Sequence, residues 1–351
     1  MKKIILLFLL LFGVGNLFAQ EQNGGSVTGV PFLLISADAR ASGMGNLGVA
    51  TAPDVFSQQW NPAKYPFSEN KLGIGLSYTP YLSSMSNDIA LLNLNYFNKI
   101  NERSTYALSL RYFGLGETVF KQNESDQGQA VTPNELAFDG SYSLKLSETF
   151  SMSVTGRYIR SDLKIQEVDA TGSVASTFAV DIAGYYQSKE ISFKNFQGIW
   201  RGGFNLSNLG PKLNYDVNSG SESALPTNLK LGGGFDFILD QDNTLGTSIE
   251  FNKLFADDSN SITGGLGLEY VYQQFFALRT GFYNDNNGSG NHNFFTVGAG
   301  FKYKTVKFDL SYLNSTSKQA SSEDNMLRFS LSFNIGDSPA SNVKEEEKIV
   351  N

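Results

Sequence analysis

The sequence predicts an all-β protein, a transmembrane outer-membrane β-barrel of about fourteen antiparallel strands with an N-terminal hatch or plug segment. Three observations predict it: an export leader, a composition rich in Gly and aromatics but free of Cys, and a hydrophobic period of two sustained over most of the chain. The expected division is a signal peptide over 1–20, a hatch over 21–70, the barrel over 71–336 and a periplasmic tail over 337–351.

The leader "MKKIILLFLLLFGVGNLFAQ" has a positive start at Lys2 and Lys3, an apolar core from Ile4 to Phe12 and a small residue, Ala19, for cleavage. Its apolar run is shorter than the ~20 residues of a membrane span, which is the competing reading. No Cys follows Ala19, so lipoprotein processing is excluded. With the leader gone, 25 basic residues face 34 acidic ones. That balance argues against nucleic acid, whose phosphates are met by clustered Lys and Arg. The absence of Cys removes disulfides, thiol chemistry and Cys-based metal sites, so stability must come from burial and backbone pairing.

Residues Val30 to Phe67 precede any alternating segment. "PFLLISADARASGMG" carries enough apolar residues to pack, and Gly43, Gly45 and Gly48 permit tight bends. Trp60, Asn61, Pro62 and Ala63 pair an Asn-Pro turn with a bulky anchor. A polar lumen needs filling, and this segment folded inward would fill it, with Asp38 and Arg40 available to lumen charges. The alternative is a periplasmic leader resting on the barrel mouth.

Alternation then begins. In "NELAFDGSYSLKL", Leu136, Phe138, Tyr142, Leu144 and Leu146 oppose Glu135, Asp139, Ser141 and Lys145. In "MLRFSLSFNI", Leu327, Phe329, Leu331, Phe333 and Ile335 oppose Arg328, Ser330, Ser332 and Asn334. Period two means strands with one apolar and one polar face. A soluble sandwich alternates too, but three features favour the membrane. Segments reach the ~10 residues of a tilted spanning strand. The polar face carries Asp139, Arg157, Asp181, Lys230, Asp236, Glu250, Glu269, Arg279, Lys302 and Arg328. Aromatics such as Tyr270, Tyr272, Phe275 and Phe276 gather at segment ends, as interfacial girdles do.

Strand starts are expected near Leu72, Asp88, Arg103, Asn134, Phe150, Thr177, Gly198, Thr227, Thr244, Ser261, Phe275, Asn293, Val306 and Asn325. Short turns such as "LSET" and "KTVK" interleave with long connectors, so both chain ends are expected on the periplasmic side. Gly140, Gly184, Gly233 and Gly264 are expected to let strands bend and approach. The tail "GDSPASNVKEEEKIVN" has lost the alternation.

Here a resemblance enters. "ADARASGMGNLGVATAPD" followed by "WNPAKY" looks like the hatch of the FadL-type fourteen-stranded barrels. More narrowly, those stretches with "GIGLSYTPYL", "NDIALLNLNYF", "LSLRYFGLGE", "TPNELAFDGSYSLKLSETFSMSVTGRYIRSDL" and "NLSNLGPKL" resemble the PorV family of the type IX secretion system. A sister family, PorQ, shares the Asn-Pro-Ala hatch and is less similar elsewhere. The resemblance implies a non-enzymatic component of the Gram-negative outer membrane, set among lipid and lipopolysaccharide. It implies association with the large translocon barrel, engagement of cargo C-terminal domains, and delivery to the attachment-complex proteins. The partner-facing parts are expected in the long loops around 115–133, 163–176, 208–226 and 284–292. Val131, Val168, Leu213 and Tyr215 are candidate exposed anchors there. The FadL resemblance implies a rival, uptake of hydrophobic small molecules.

No catalytic, metal-binding or cofactor-binding residue is assigned. The single histidine, His292, lies in a Gly/Asn loop with no second ligand near it in sequence. Asp257 and Asp258 read as a loop charge cluster. "GMGNLG" has no strand before it and no helix after it, so it is no phosphate loop.

Overall fold

The computed structural model describes residues 28–81, 88–121, 127–164, 173–215, 222–255, 262–284, 293–316 and 326–337. Within them run fourteen long strands: β1 (Asn70–Pro80), β2 (Ile89–Lys99), β3 (Ser104–Leu115), β4 (Asn134–Lys145), β5 (Phe150–Asp162), β6 (Ala175–Gln187) and β7 (Gln197–Leu209). They continue as β8 (Asn228–Ile238), β9 (Asn243–Leu254), β10 (Ile262–Tyr272), β11 (Phe276–Asn284), β12 (Phe294–Tyr303), β13 (Val306–Ser315) and β14 (Met326–Asp337). Each begins within two residues of the position read from alternation.

Every strand is antiparallel to its neighbour in sequence, and β14 pairs with β1 from Asn70↔Asp337 to Tyr78↔Phe329. The barrel is closed, so its strands present no unpaired backbone edge to lipid. The two faces sort as the period requires. In β14, Arg328, Ser330 and Ser332 are buried in the lumen while Leu327, Phe333 and Ile335 face out. In β1, Ser77 and Thr79 point in, and Ile74, Leu76 and Tyr78 point out.

One end carries the short turns, and there Gln273 and Gln274 adopt φ 51 and 53. Such left-handed pairs match the right-handed twist of the flanking strands. β14 finishes at this end, where Asp337 pairs with Asn70. The opposite end carries the longer loops, with two small ribbons, Thr118–Phe120 on Gln129–Val131 and Leu213–Asn214 on Glu222–Ser223. β7 contains a bulge between Leu206 and Leu209.

The segment before β1 lies inside the barrel. It contains a 3-10 turn at Pro31–Leu34, helix α1 (Ala39–Gly43), helix α2 (Ser57–Trp60) and a 3-10 stretch at Pro62–Phe67. Helix α1 lies against β11 to β14, and Pro62–Phe67 lies against β2 to β6 on the opposite wall. Residues 28–35 sit at the long-loop end, where Val30, Phe32, Leu33 and Ile35 are buried with the inward Leu91, Phe113, Ala137 and Ile159.

The outward face makes a direct prediction. Leu331→Arg should lower unfolding free energy by up to ~2–4 kcal/mol near the bilayer midplane, less toward the interface. Urea unfolding in lipid would measure it; an unmoved midpoint would mean the two faces are assigned backwards.

Candidate functional site

The candidate site is the contact between the inserted segment and the barrel wall. Helix α1 starts where Asp38, in extended backbone, caps it by accepting from the Ala41 N–H at 2.8 Å. The other Asp38 oxygen accepts from Trp60 Nε1 at 2.6 Å. Asp38 therefore ties two parts of the hatch together and makes no ion pair with the wall. Arg40 does reach the wall. Its Nε and Nη2 donate to the two oxygens of Glu269 at 2.9 and 2.7 Å, and its Nη1 to Asp54 at 2.7 Å. Glu269 also accepts from Arg279 Nε at 2.7 Å, and Arg279 pairs with Asp309 at 2.8 Å. One chain of alternating charges thus joins hatch, β10, β11 and β13. Bidentate, charge-assisted bonds of this kind fix geometry as well as energy.

A second ionic group lies on the opposite wall. Arg157 donates to Asp139 at 2.6 Å and to Asp181 at 2.9 Å, with Arg111 3.7 Å from Asp139. Arg111 Nη1 also donates to the Leu33 carbonyl at 3.2 Å, which couples this wall to the inserted chain.

The Trp-Asn-Pro-Ala turn is held by hydrogen bonds on both sides. Asn61 Nδ2 donates to the carbonyls of Val49 and Gly184, each at 2.9 Å, and Asn61 Oδ1 accepts from the Ala63 N–H. Wall residues satisfy the turn's carbonyls: Asn205 bonds to Trp60 O, Ser143 to Pro62 O and Ser151 to Ala63 O. Pro62 starts the 3-10 stretch, where a missing N–H costs nothing. The Trp60 ring lies 4.3 Å from Lys230 Nζ. Glu250 accepts the N–H groups of Gly48 and Val49 at 2.9 Å each.

Close approach needs glycine at two places. Gly45 has φ 79, and its N–H donates to Thr296 Oγ1 at 2.8 Å. A Cβ at Gly281 on the facing wall would come 2.2 Å from Gly45 N.

Burial shapes the titration of the hatch. It pushes the Asp38 carboxyl up to about 6, with the Asp54 charge adding to the rise and the bonds from Ala41 and Trp60 opposing it. Burial would also raise Asp54, but Arg40, and after it Lys64, hold Asp54 below its ordinary value. Burial lowers the Lys64 ammonium to about 8 while its Nζ donates to Gly48 O at 2.8 Å. Between Arg40, Glu269, Arg279 and the short turns lies a cavity of about 340 Å³, lined also by Asp54, Arg201 and Asp236.

The structure therefore gathers Asp38, Arg40, Gly43, Gly45, Trp60, Asn61, Pro62 and Ala63 in the lumen. It does not expose the loop anchors. Leu213 and Val131 are buried, Leu213 against Val30 and Phe32 in one apolar cluster that Tyr215 also packs on. Leu213 and Tyr215 pack on the chain's own N-terminal stretch, which takes the surface a partner would need. Val168 and His292 lie outside the described residues. Sequence reasoning missed Asn208, whose left-handed φ of 61 sits in the β7 bulge and whose N–H donates to Asp181 at 2.7 Å. It also missed the inward glycines Gly203 and Gly281, too close to the hatch for a Cβ, and Gly298, where a Cβ would lie 3.1 Å from Gly43 Cα. Face parity was the available signal. The strand glycines read from the sequence face outward, and Gly140 and Gly233 have no heavy atom close to a built Cβ.

Residues 18–260 match the family described as "Type IX secretion system protein PorV". The chain belongs to the PorV family. No curated protein matches it in sequence. Its fold is similar to solved outer-membrane channels at low identity. The "CymD monoaromatic hydrocarbon channel" is 12% identical with TM-score 0.55, over 86% of this chain and 98% of that one. The toluene transporter TbuX of Ralstonia pickettii is 11% identical with TM-score 0.54, over 87% and 100%. Family and closed barrel together place this PorV-family chain in the outer membrane.

Two predictions follow from the ionic contact. Arg40→Met removes the guanidinium from Asp54 and two bonds from Glu269, a loss on the order of 3 kcal/mol for a broken buried pair. With Glu269→Gln added, the total should fall short of the sum of the two single losses, as coupled sites require; strict additivity would sink the pairing. For Asp38, a raised folded pKa means its contribution is full below the unfolded 3.8 and lost as pH rises through about 6. Thermal unfolding from pH 4 to 6 should show this decline in the natural chain and lose it in Asp38→Asn.

Proposed function

We propose that this PorV-family barrel acts in type IX secretion as a closed, protein-handling component. It associates with the large translocon barrel, binds the C-terminal domain of exported cargo and passes it to the attachment complex. The observation that carries this reading is the filled lumen. Hatch side chains from Phe32 to Tyr65 are buried against both walls, and the ionic contact of Arg40 with Glu269 bridges the interior. A barrel braced in this way works through its outer faces and loops, which are surfaces for proteins. Asp38, Arg40, Trp60 and the Asn61–Ala63 turn are the plug in this account, holding the hatch rather than contacting cargo. No step of it needs a catalytic residue.

The second reading, a channel for hydrophobic small molecules, is favoured by one observation. At the long-loop end, the inward Leu91, Phe113, Ala137 and Ile159 form an apolar lining. Its likeness in fold to hydrocarbon channels points the same way. That lining is occupied by the chain's own Phe32 and Leu33, which supports the closed form.

Purification in mild detergent separates the two. Co-purification of a giant outer-membrane barrel with secreted cargo is the expected result, and a bound lipid or hydrocarbon without protein partners would favour uptake instead. Deleting Ser36 to Pro62 should raise ion conductance in planar bilayers; unchanged conductance would refute the plug.

A further inference from the structure

The walls of the cavity beside the short turns are not alike. On one side Arg40, Glu269, Arg279 and Asp309 bond to one another, and elsewhere Arg201 pairs with Asp236. The wall at the turn between β12 and β13 is built differently. Lys302 and Lys307 stand directly opposite one another in the register, and both line the cavity. Like charges set opposite in a sheet repel, so such a pair is completed by an anion. Lys307 Nζ has Asp309 at 3.5 Å, but Arg279 already holds that carboxylate at 2.8 Å. Among the described residues, Lys302 has no carboxylate within ion-pair distance. By register its inward neighbours are Gly300 on its own strand and Ala277 on β11, and neither is charged.

The charges on this side do not balance. Arg40, Arg279, Lys302 and Lys307 face only Asp54, Glu269 and Asp309, which leaves a positive charge toward the cavity. Glu69 also lines the cavity, but it is exposed at the rim and makes no ion pair among the described residues. Two further donors lie beside the lysines. Ser332 is opposite Lys307 on β14, Asn334 follows two residues on, and both line the cavity. Their side chains have no hydrogen-bond partner among the described residues. The mouth is at the short-turn rim, where the exposed Gln274 and Phe275 also line it.

We propose that Lys302, Lys307, Ser332 and Asn334 form a binding site for a phosphate group at the mouth of this cavity. Neighbouring strands lie ~4.8 Å apart, so donors from β12, β13 and β14 fall within reach of one tetrahedral anion. The flexible four-carbon stems of the lysines let both ammonium groups turn toward it. Two ammonium groups, a hydroxyl and an amide together suit a ligand with several acceptor oxygens on one centre. Charge sets the depth. Asp309 is one inward position further from the turn than Lys307, and with Glu269 it repels an anion from entering beyond the lysines. The cavity of about 340 Å³ is at the small end of the ~300–1,000 Å³ usual for small-molecule sites. It admits free phosphate or the phosphate of a glycerol headgroup.

Titration calorimetry on the protein purified in detergent, in phosphate-free buffer at fixed ionic strength, tests the site. The probes are inorganic phosphate and sn-glycerol 3-phosphate. Saturable binding of at least one probe, at one site per chain, is the expected result, and the tighter probe names the source. Lys302→Gln should weaken that binding ~10-fold or more, the worth of a charged hydrogen bond. Lys304→Gln, in the exposed turn, should leave it unchanged. Without phosphate, Lys302→Gln should assemble with an unfolding midpoint equal to or above that of the natural chain, because a repulsion is removed. No saturable heat with either probe overturns the proposal, and so does binding that Lys302→Gln leaves intact. A lower midpoint for Lys302→Gln, or its failure to assemble, overturns it too, since the ammonium would then already be engaged within the protein.

Discussion

A charge taken out of bulk water has to be met by a partner held in place, and Arg40 is where this barrel meets that requirement between two separate layers of its fold. One guanidinium spans Asp54 of the hatch and Glu269 of the wall, and Glu269 passes the contact to Arg279 and Asp309. The sheet alone could not satisfy these groups: β10, β11 and β13 point Glu269, Arg279 and Asp309 inward because their other face is committed to lipid. The inserted segment supplies what the walls lack. In return, the walls satisfy the carbonyls of a segment that has almost no regular structure of its own.

This division explains why the hatch is irregular. Helices of four and five residues cannot satisfy their own termini, so a free segment of this kind would not hold shape in water. Inside the barrel, Ser143, Ser151 and Asn205 donate to hatch carbonyls that a longer helix would have bonded to its own backbone. Gly281 and Gly298 let hatch backbone lie on strand backbone without side chains between. The polar inner face is thus a template for one particular path of chain.

Function follows from which surfaces remain. With the interior taken up by the hatch and the apolar end taken up by Phe32 and Leu33, the outer faces and loop tips are left for partners. Leu213 and Val131 belong to the interior side of that division. The cavity beside Arg40 is walled on that side by groups already engaged with one another, which makes that wall a consequence of the ionic brace.

Much was legible in the sequence because a barrel strand records its two environments residue by residue. Alternation in "MLRFSLSFNI" and "NELAFDGSYSLKL" determined fourteen strands, their faces and their starts, since lipid on one side and water or polar chain on the other admit little else. The Trp60–Ala63 turn and the Asp38/Arg40 pair could be marked as special for the same reason, being polar and bulky residues placed outside any alternating run. Their partners could not be read. Whether Arg40 meets Glu269 or Asp139, whether Asp38 pairs with the wall or caps its own helix, and which glycines lie under the hatch depend on tertiary contacts, of which Arg40 with Glu269 spans more than two hundred positions. The path of Val30–Ile35 was hidden in the same way. Six apolar residues in a row say that the stretch will pack, but only the closed barrel decides how, burying Val30, Phe32, Leu33 and Ile35 under the long loops and leaving Pro31 and Leu34 exposed.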